Sequence, residues 1–191
     1  MVKLQSRPKR SQIIERKNCR LDRPQSRPKR PPNPHLNALF TRADGQEGKG
    51  KLRSAFRLFL AAAKGGEQGC QINLGNHYDA GKGVRRNRAA ALYWYKRAYR
   101  RGASEAASNI GILWRNENKP KLALEWFRKS VRLGDEEANL EIAKYYLLNE
   151  LDPARAIRHL EQVRPSPYVT QAGVEEARTL LRQAKRLSKR C

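Results

Sequence analysis

The sequence predicts an all-α fold: an α/α superhelical solenoid of about three to four helix-pair repeats, closed by a C-terminal capping helix and preceded by a disordered basic tail. Three observations predict it. A pattern of small, aliphatic and aromatic residues returns after each of Gly66, Gly102 and Gly134. A second helical pattern follows inside every unit. Upstream of Leu36, prolines and arginines replace any apolar period.

Residues 1–35 form the expected tail. Pro8, Pro24, Pro28, Pro31, Pro32 and Pro34 interrupt helix formation, and little apolar material is available to bury. The hexapeptide QSRPKR stands at residues 5–10 and again at 25–30. The stretch is basic and acid-poor like a mitochondrial presequence, but its prolines and its charges on all sides oppose an amphipathic helix.

Residues 36–66 read as a degenerate first repeat. Leu36 and Phe40 keep a four-residue spacing, and Ala55, Leu58-Phe59 and Ala62 precede Gly66. The helical repeats proper occupy residues 67–164. Four residues after each reference glycine comes Cys70, Ala106 or Ala138. Then come Leu74-Gly75, Ile110-Gly111 or Ile142-Ala143, and then Tyr78, Trp114 or Tyr146. This is one face of a helix, with a small residue where a neighbour must approach. The partner helix carries Ala91, Trp94-Tyr95 and Ala98; then Ala123, Trp126-Phe127 and Ser130; then Ala156, His159-Leu160 and Val163. Gly102 and Gly134 suit left-handed helix ends, while Ser104, Asp135 and Asp152 suit N-caps. Residues 168–191 read as the cap. Ala172, Ala177, Leu180, Leu181, Ala184 and Leu187 mostly share a face, Thr170 is placed to start the helix, and arginines and lysines cover the rest.

Residues 70–102, CQINLGNHYDAGKGVRRNRAAALYWYKRAYRRG, resemble the Sel-one-like repeat family, relatives of tetratricopeptide repeats. The shared residues are Leu74-Gly75, Tyr78, Gly81, Gly83-Val84, Ala91, Trp94-Tyr95, Ala98 and Gly102. Asn87 stands where the family usually has an acid, and Ala90 where it usually has lysine. The next unit drops the G-x-GV loop and is shorter. The resemblance implies a right-handed stack of antiparallel helix pairs that acts as a scaffold for other proteins, without shared catalytic residues.

The chain of 191 residues carries 41 Lys+Arg against 18 Asp+Glu, a net charge of +23, which favours polyanionic partners. The first 52 residues alone hold 14 of the basic residues against 4 acids, so charge is densest in the tail. Cys19, Cys70 and Cys191 share no metal-ligand spacing and are too sparse for a disulfide framework, so a reducing, cytoplasmic setting is expected, with nuclear or nucleoid association as an alternative. Neither a secretory signal nor a membrane span is expected. His35, His77 and His159 lack recurring ligand partners, the GKG at residues 81–83 is a turn, and Glu136-Glu137 and Glu175-Glu176 belong to helix first turns. No enzyme activity, cofactor or metal is expected.

Two binding surfaces are expected. A groove lined by the first helix of each pair should present Asn73, Asn76, His77, Asn109 and Ile112 to a protein or peptide. Glu141 stands where a carboxylate clamp would want a base, so no such clamp is expected. The alternative is nucleic acid, held by Arg7, Lys9, Arg10, Arg27, Lys29 and Arg30 of the tail together with a ridge of Arg85, Arg86, Arg88, Arg97, Arg100 and Arg101, with Tyr93 and Tyr99 interleaved. Removing residues 1–35 is expected to leave the helical circular-dichroism signal of the remainder unchanged; disappearance of that signal would place the tail inside the fold.

Overall fold

A computed structural model describes residues 33–167 and 169–189. The tail cations Arg7, Lys9, Arg10, Arg27, Lys29 and Arg30 lie outside these residues, as do Cys19 and Cys191. Among the described residues are nine α-helices: α1 (Pro34–Gly48), α2 (Leu52–Gly65), α3 (Gln68–Ala80), α4 (Arg88–Tyr99), α5 (Ser104–Asn116), α6 (Pro120–Arg132), α7 (Ala138–Tyr145), α8 (Pro153–Leu160) and α9 (Gln171–Ser188). A π-helical turn, Tyr146–Glu150, extends α7. The helices make four pairs and a closing helix, each packed on its neighbours in chain order.

Side chains define two layers. First helices meet first helices through Asn76 to Asn109 between α3 and α5, and through Arg115 to Glu141 between α5 and α7. Second helices meet through Tyr99 and Trp126, rings 5.1 Å apart, between α4 and α6. Three consecutive buried clusters fill the space between layers. The first joins Phe59, Cys70, Leu74 and Trp94, the second Tyr95, Ile110 and Trp126, and the third Phe127, Ile142, Leu160 and Val174. No pair closes a core alone, because each second helix contributes residues to the cluster of the next unit.

The small residues do what the repeat demands. Gly75 lies against the ring of Tyr95, and Gly111 against Phe127, whose Cε1 is 2.6 Å from where a Cβ would stand. Both approaches occur between the two helices of one pair. Gly102 and Gly134 have φ of 89 and 95°, the left-handed ends expected, and Gly66, φ 97°, ends α2 in the same way.

The turns explain the departures between units. Asn87, in place of an acid, caps α4 by accepting the Ala90 N–H at 3.0 Å, which an asparagine does as well as an aspartate. The shorter third unit turns at Asn118, φ 55°, a residue that tolerates the left-handed region.

Several boundaries differ from expectation. Asn33 accepts the His35 N–H and Pro34 opens α1, so helix begins two residues before the expected start of the first repeat at residue 36. Ser104 is the first residue of α5 rather than its cap, since Ala103 holds the extended cap conformation. Asp152 and Thr170 do cap their helices, accepting the N–H groups of Arg155 and Gly173, whereas Asp135 accepts the Ala138 N–H from two residues ahead of the α7 cap position, which Glu137 holds without a side-chain cap bond. On α9 the buried residues are Gly173, Val174, Ala177 and Ala184, whereas Ala172 and Leu187 face solvent.

Replacing Gly111 by alanine is expected to destabilise the protein by about 1–3 kcal/mol through overpacking against Phe127. Gly45→Ala, in open space on α1, is expected to stabilise it by about 0.5–1 kcal/mol through helix propensity. Urea unfolding midpoints of the two variants should therefore move in opposite directions.

Candidate functional site

The face of the first-helix layer is the candidate site. At its centre Asn76 Oδ1 accepts the Tyr95 hydroxyl at 2.6 Å and the Asn109 amide at 3.2 Å. Burial, with Asp79 and Glu105 nearby, pushes the Tyr95 phenol up, so it remains a proton donor to Asn76. The two asparagines are thus locked in a fixed orientation. The Asn76 NH₂ and the Asn109 Oδ1 have no further partner among the described residues. They leave one donor and one acceptor side by side on neighbouring helices. Asn73, half-buried one turn earlier on α3, lies next to this pair in register. Ile112 is half-buried and packs against the third core cluster, so part of its side chain is committed to the fold.

Towards the C-terminus the same face is self-neutralised. Arg115 of α5 pairs with Glu141 of α7. Lys144 of α7 lies 2.9 Å from Glu141 and 2.8 Å from Glu176 of α9. Burial works against the Lys144 charge, but the two carboxylates hold its pKa above the ordinary lysine value. Glu141 is therefore occupied as an ion-pair hub. This ladder is legible in sequence only as the Glu141–Lys144 spacing within one helix; its other partners come from other repeats.

His77 does not belong to the exposed face, contrary to expectation. It is 1% exposed, beneath Phe56 and Phe59. Its Nδ1 donates to the Lys82 carbonyl at 2.7 Å, and its Nε2 lies 3.3 Å from Glu47 of α1. Burial opposes the Glu47 charge, yet hydrogen bonds from Lys82 and His77 hold its carboxyl below the usual range. His77 is a strut between α1, α3 and the following turn. One helical position separates it from Asn76, enough to turn the side chain inward.

The expected cationic ridge divides. Arg85, Arg100 and Arg101 are exposed. Arg86 donates to the Asp79 carbonyl at 2.7 Å. Arg88 pairs with Glu117 and lies over the Trp114 ring at 4.6 Å, so it ties the α3–α4 turn to the end of α5. Glu117 belongs to the next repeat, and no local spacing points to it. Arg97 lies over Trp94, with its Nη1 3.5 Å from the exposed Tyr93 hydroxyl. Tyr99 is buried at 3% and stacks edge-on against Trp126 rather than interleaving with the arginines.

Other polar groups serve the packing. The fully buried Ser130 hydroxyl lies 2.7 Å from the Ser104 carbonyl and 2.8 Å from Asp135, so its one proton serves either acceptor, and Asp135 also accepts Ser108 at 2.6 Å. His159 takes the place of Trp94 in its unit as expected: its ring stacks on Tyr146 and its Nδ1 is 2.9 Å from Asn139 Oδ1. Burial, then the charges of Arg128 and Arg158, lower its pKa. Burial likewise pushes the free Cys70 thiol up, which leaves it unreactive. No helix among the described residues is long and apolar enough to cross a membrane.

Comparisons with known proteins agree with this architecture. The family model of the Sel1 repeat matches residues 43–67, 69–102 and 110–135. The chain is similar to the crystal structure of a Sel1 repeat protein from Oxalobacter formigenes, with 26% identity, a TM-score of 0.52, and coverage of 74% of this chain and 63% of the other. It is also similar in fold to a protective antigen of uropathogenic Escherichia coli strains displaying an SLR fold, at 17% identity and a TM-score of 0.60, over 78% of this chain and 38% of the other. The chain thus spans less than two thirds of the length of either. The α7–α8 pair lies beyond the matched residues but keeps the repeat spacing in Ala138, Ile142-Ala143 and Tyr146.

The lowered His159 pKa makes a signed prediction. The unfolded chain takes up this proton at a higher pH than the folded one, so stability is full above the ordinary imidazole value, near 6.5. It falls as pH drops through that value and through the folded one. His159→Gln is expected to flatten that part of the urea-midpoint profile between about pH 7.5 and 5. A variant profile parallel to the parent's would remove His159 from the pH dependence.

Proposed function

We propose that this chain, a member of the Sel1-repeat family, is a non-enzymatic scaffold that takes an extended segment of a partner protein along the face of its first helices. The observation that carries the reading is the Asn76–Asn109 pair. A peptide main chain offers a C=O and an N–H at every residue, and a fixed NH₂ beside a fixed carbonyl oxygen matches one such pair. Because Tyr95 already holds Asn76, little side-chain entropy remains to be lost on binding. Asn73 extends the polar line, and the exposed edge of Ile112 supplies an apolar surface beside it.

Titratable groups support the same reading by their distribution. Those with shifted pKa values among the described residues are Glu47, Cys70, Tyr95, Glu105, Lys144, Tyr145 and His159, which lie on α1, α3, α4, α5, α7 and α8, spread along the stack. Each shift is explained by packing or by a structural ion pair. An active site would gather them.

The test uses the full-length protein carrying a photo-crosslinking residue at position 112, compared with the same residue at position 128 on the other layer. A discrete polypeptide adduct is expected from position 112 and not from 128. It should weaken by about tenfold with Asn73→Ala/Asn109→Ala, the removal of two hydrogen bonds at about 0.5–1.5 kcal/mol each. Equal labelling from both positions, or an adduct indifferent to the asparagines, would refute the reading.

A further inference from the structure

Charge separates by helix type. The four second helices, α2, α4, α6 and α8, hold twelve Lys/Arg and a single Asp/Glu. The four first helices, α1, α3, α5 and α7, hold three and five. The two layers therefore present opposite balances, which the net charge of the whole chain conceals.

The cations are also in register. Counted from the buried alanine near the start of each second helix (Ala55, Ala91, Ala123), the ninth residue onward is Lys64, Arg100 and Arg132. All three are exposed, and none forms an ion pair among the described residues. They complement the carbonyl ends of their helices, and they also place one free cation on each of the first three repeats; the equivalent place after Ala156 holds Pro165. On α4 and its C-terminal end, Tyr93, Lys96, Arg97 and Arg100 share one face by their spacing of three, four and seven residues. Tyr93 is 54% exposed, its ring edge-on to Trp94 at 5.1 Å. A solvent-facing aromatic ring amid arginines is suited to stacking on an unpaired base, with the flanking cations on the phosphates.

We propose that the second-helix layer binds single-stranded nucleic acid, its backbone following the row Lys64, Arg100 and Arg132 and a base stacking on Tyr93. Three features favour this over other polyanions. The cations recur along the stack rather than clustering at one point, which suits a linear chain of charges. An exposed ring gives a base, but not a lipid headgroup or a polyglutamate, a specific stacking surface. Among second-helix residues only Tyr93 and Leu122 are large, exposed and apolar, too little to insert into a bilayer. The surface is separate from the first-helix face, so it does not depend on that reading.

The experiment is fluorescence anisotropy of the full-length protein with a labelled single-stranded 20-mer of RNA or DNA across a salt series. Lys64→Gln/Arg100→Gln/Arg132→Gln is expected to reduce the slope of log affinity against log salt by about 2, at about 0.7 for each phosphate no longer neutralised. Tyr93→Ala is expected to weaken binding by about tenfold. Arg42→Gln, an exposed residue of α1, should leave binding unchanged, and circular dichroism should show all variants folded. An unchanged slope in the triple variant would assign binding to the basic tail and overturn the proposal. So would an equal reduction with Arg42→Gln. Equal competition by duplex DNA, phosphatidylglycerol vesicles or polyglutamate at matched charge, with Tyr93→Ala silent, would overturn the single-strand assignment.

Discussion

The close approach of an aromatic ring to a glycine within each of the two central helix pairs is the constraint on which the rest depends. Tyr95 over Gly75 and Phe127 over Gly111 set how far apart the two helices of a pair stand. That distance decides which residues of the first helix turn inward and which are left for the surface. Asn76 and His77 are adjacent in sequence, yet one becomes a surface hydrogen-bonding group and the other a buried strut. The Tyr95 ring that packs on Gly75 also carries the hydroxyl that orients Asn76. Packing and the candidate site are thus two ends of one side chain.

The sequence made the architecture legible because a solenoid repeats its constraints. Gly66, Gly102 and Gly134, the small residues after them, and the aromatic pairs of the second helices each recur at the same structural position. One misread unit is corrected by the others. Site details do not recur in this way. Glu117 meets Arg88, Glu47 meets His77 and Glu141 meets Arg115 across 26 to 30 residues, between helices whose relative rotation no local pattern encodes. Arg88 looked free, and His77 looked accessible, because their acidic partners belong to neighbouring repeats. The Ser104 boundary shifted for a smaller reason: a serine and the residue before it can both satisfy the start of a helix, and the backbone at Ala103 took the extended conformation.

The same distinction explains why the two proposed surfaces emerged differently from the two layers. Cations on the second helices are visible in sequence as isolated runs, most obviously Lys96-Arg97 and Arg100-Arg101. Stacking the helices changes their meaning. The runs nearest the turns are internal ties through Arg86 and Arg88, while the in-register positions Lys64, Arg100 and Arg132 have no ion-pair partner among the described residues. On the first helices acids and bases are interleaved, and Arg115, Glu141, Lys144 and Glu176 neutralise one another across three helices. A linear polyanion approaching this protein meets mixed charge on one layer. The second layer keeps a surplus of positive charge, although Arg88 pairs with Glu117 and Arg155 with Glu150 and Asp152, acids that lie outside the second helices. In the proposed complex that difference would orient the polyanion without any sequence-specific interaction.

Polar side chains at the junctions then hold the two layers in fixed relation. Gln71 donates to the Ala63 carbonyl and links α3 to α2; Ser130 and Asp135 link α5, α6 and the start of α7; Asn139 and His159 link α7 to α8; Glu137 accepts from Thr170 and seats α9. Apolar packing alone would tolerate a sliding of one pair on the next, since alanines and leucines of neighbouring units are nearly interchangeable. A hydrogen-bonded serine or histidine is not, because displacement by one residue leaves a buried polar group unpaired at a cost of about 1–3 kcal/mol. These hydrogen bonds thus set register where hydrophobic burial supplies the attraction. Register is what the proposed binding row requires: Lys64, Arg100 and Arg132 align, and Asn76 meets Asn109, only if each repeat sits on the last without slippage. The polar residues that look least suited to a core are the ones that make both faces continuous.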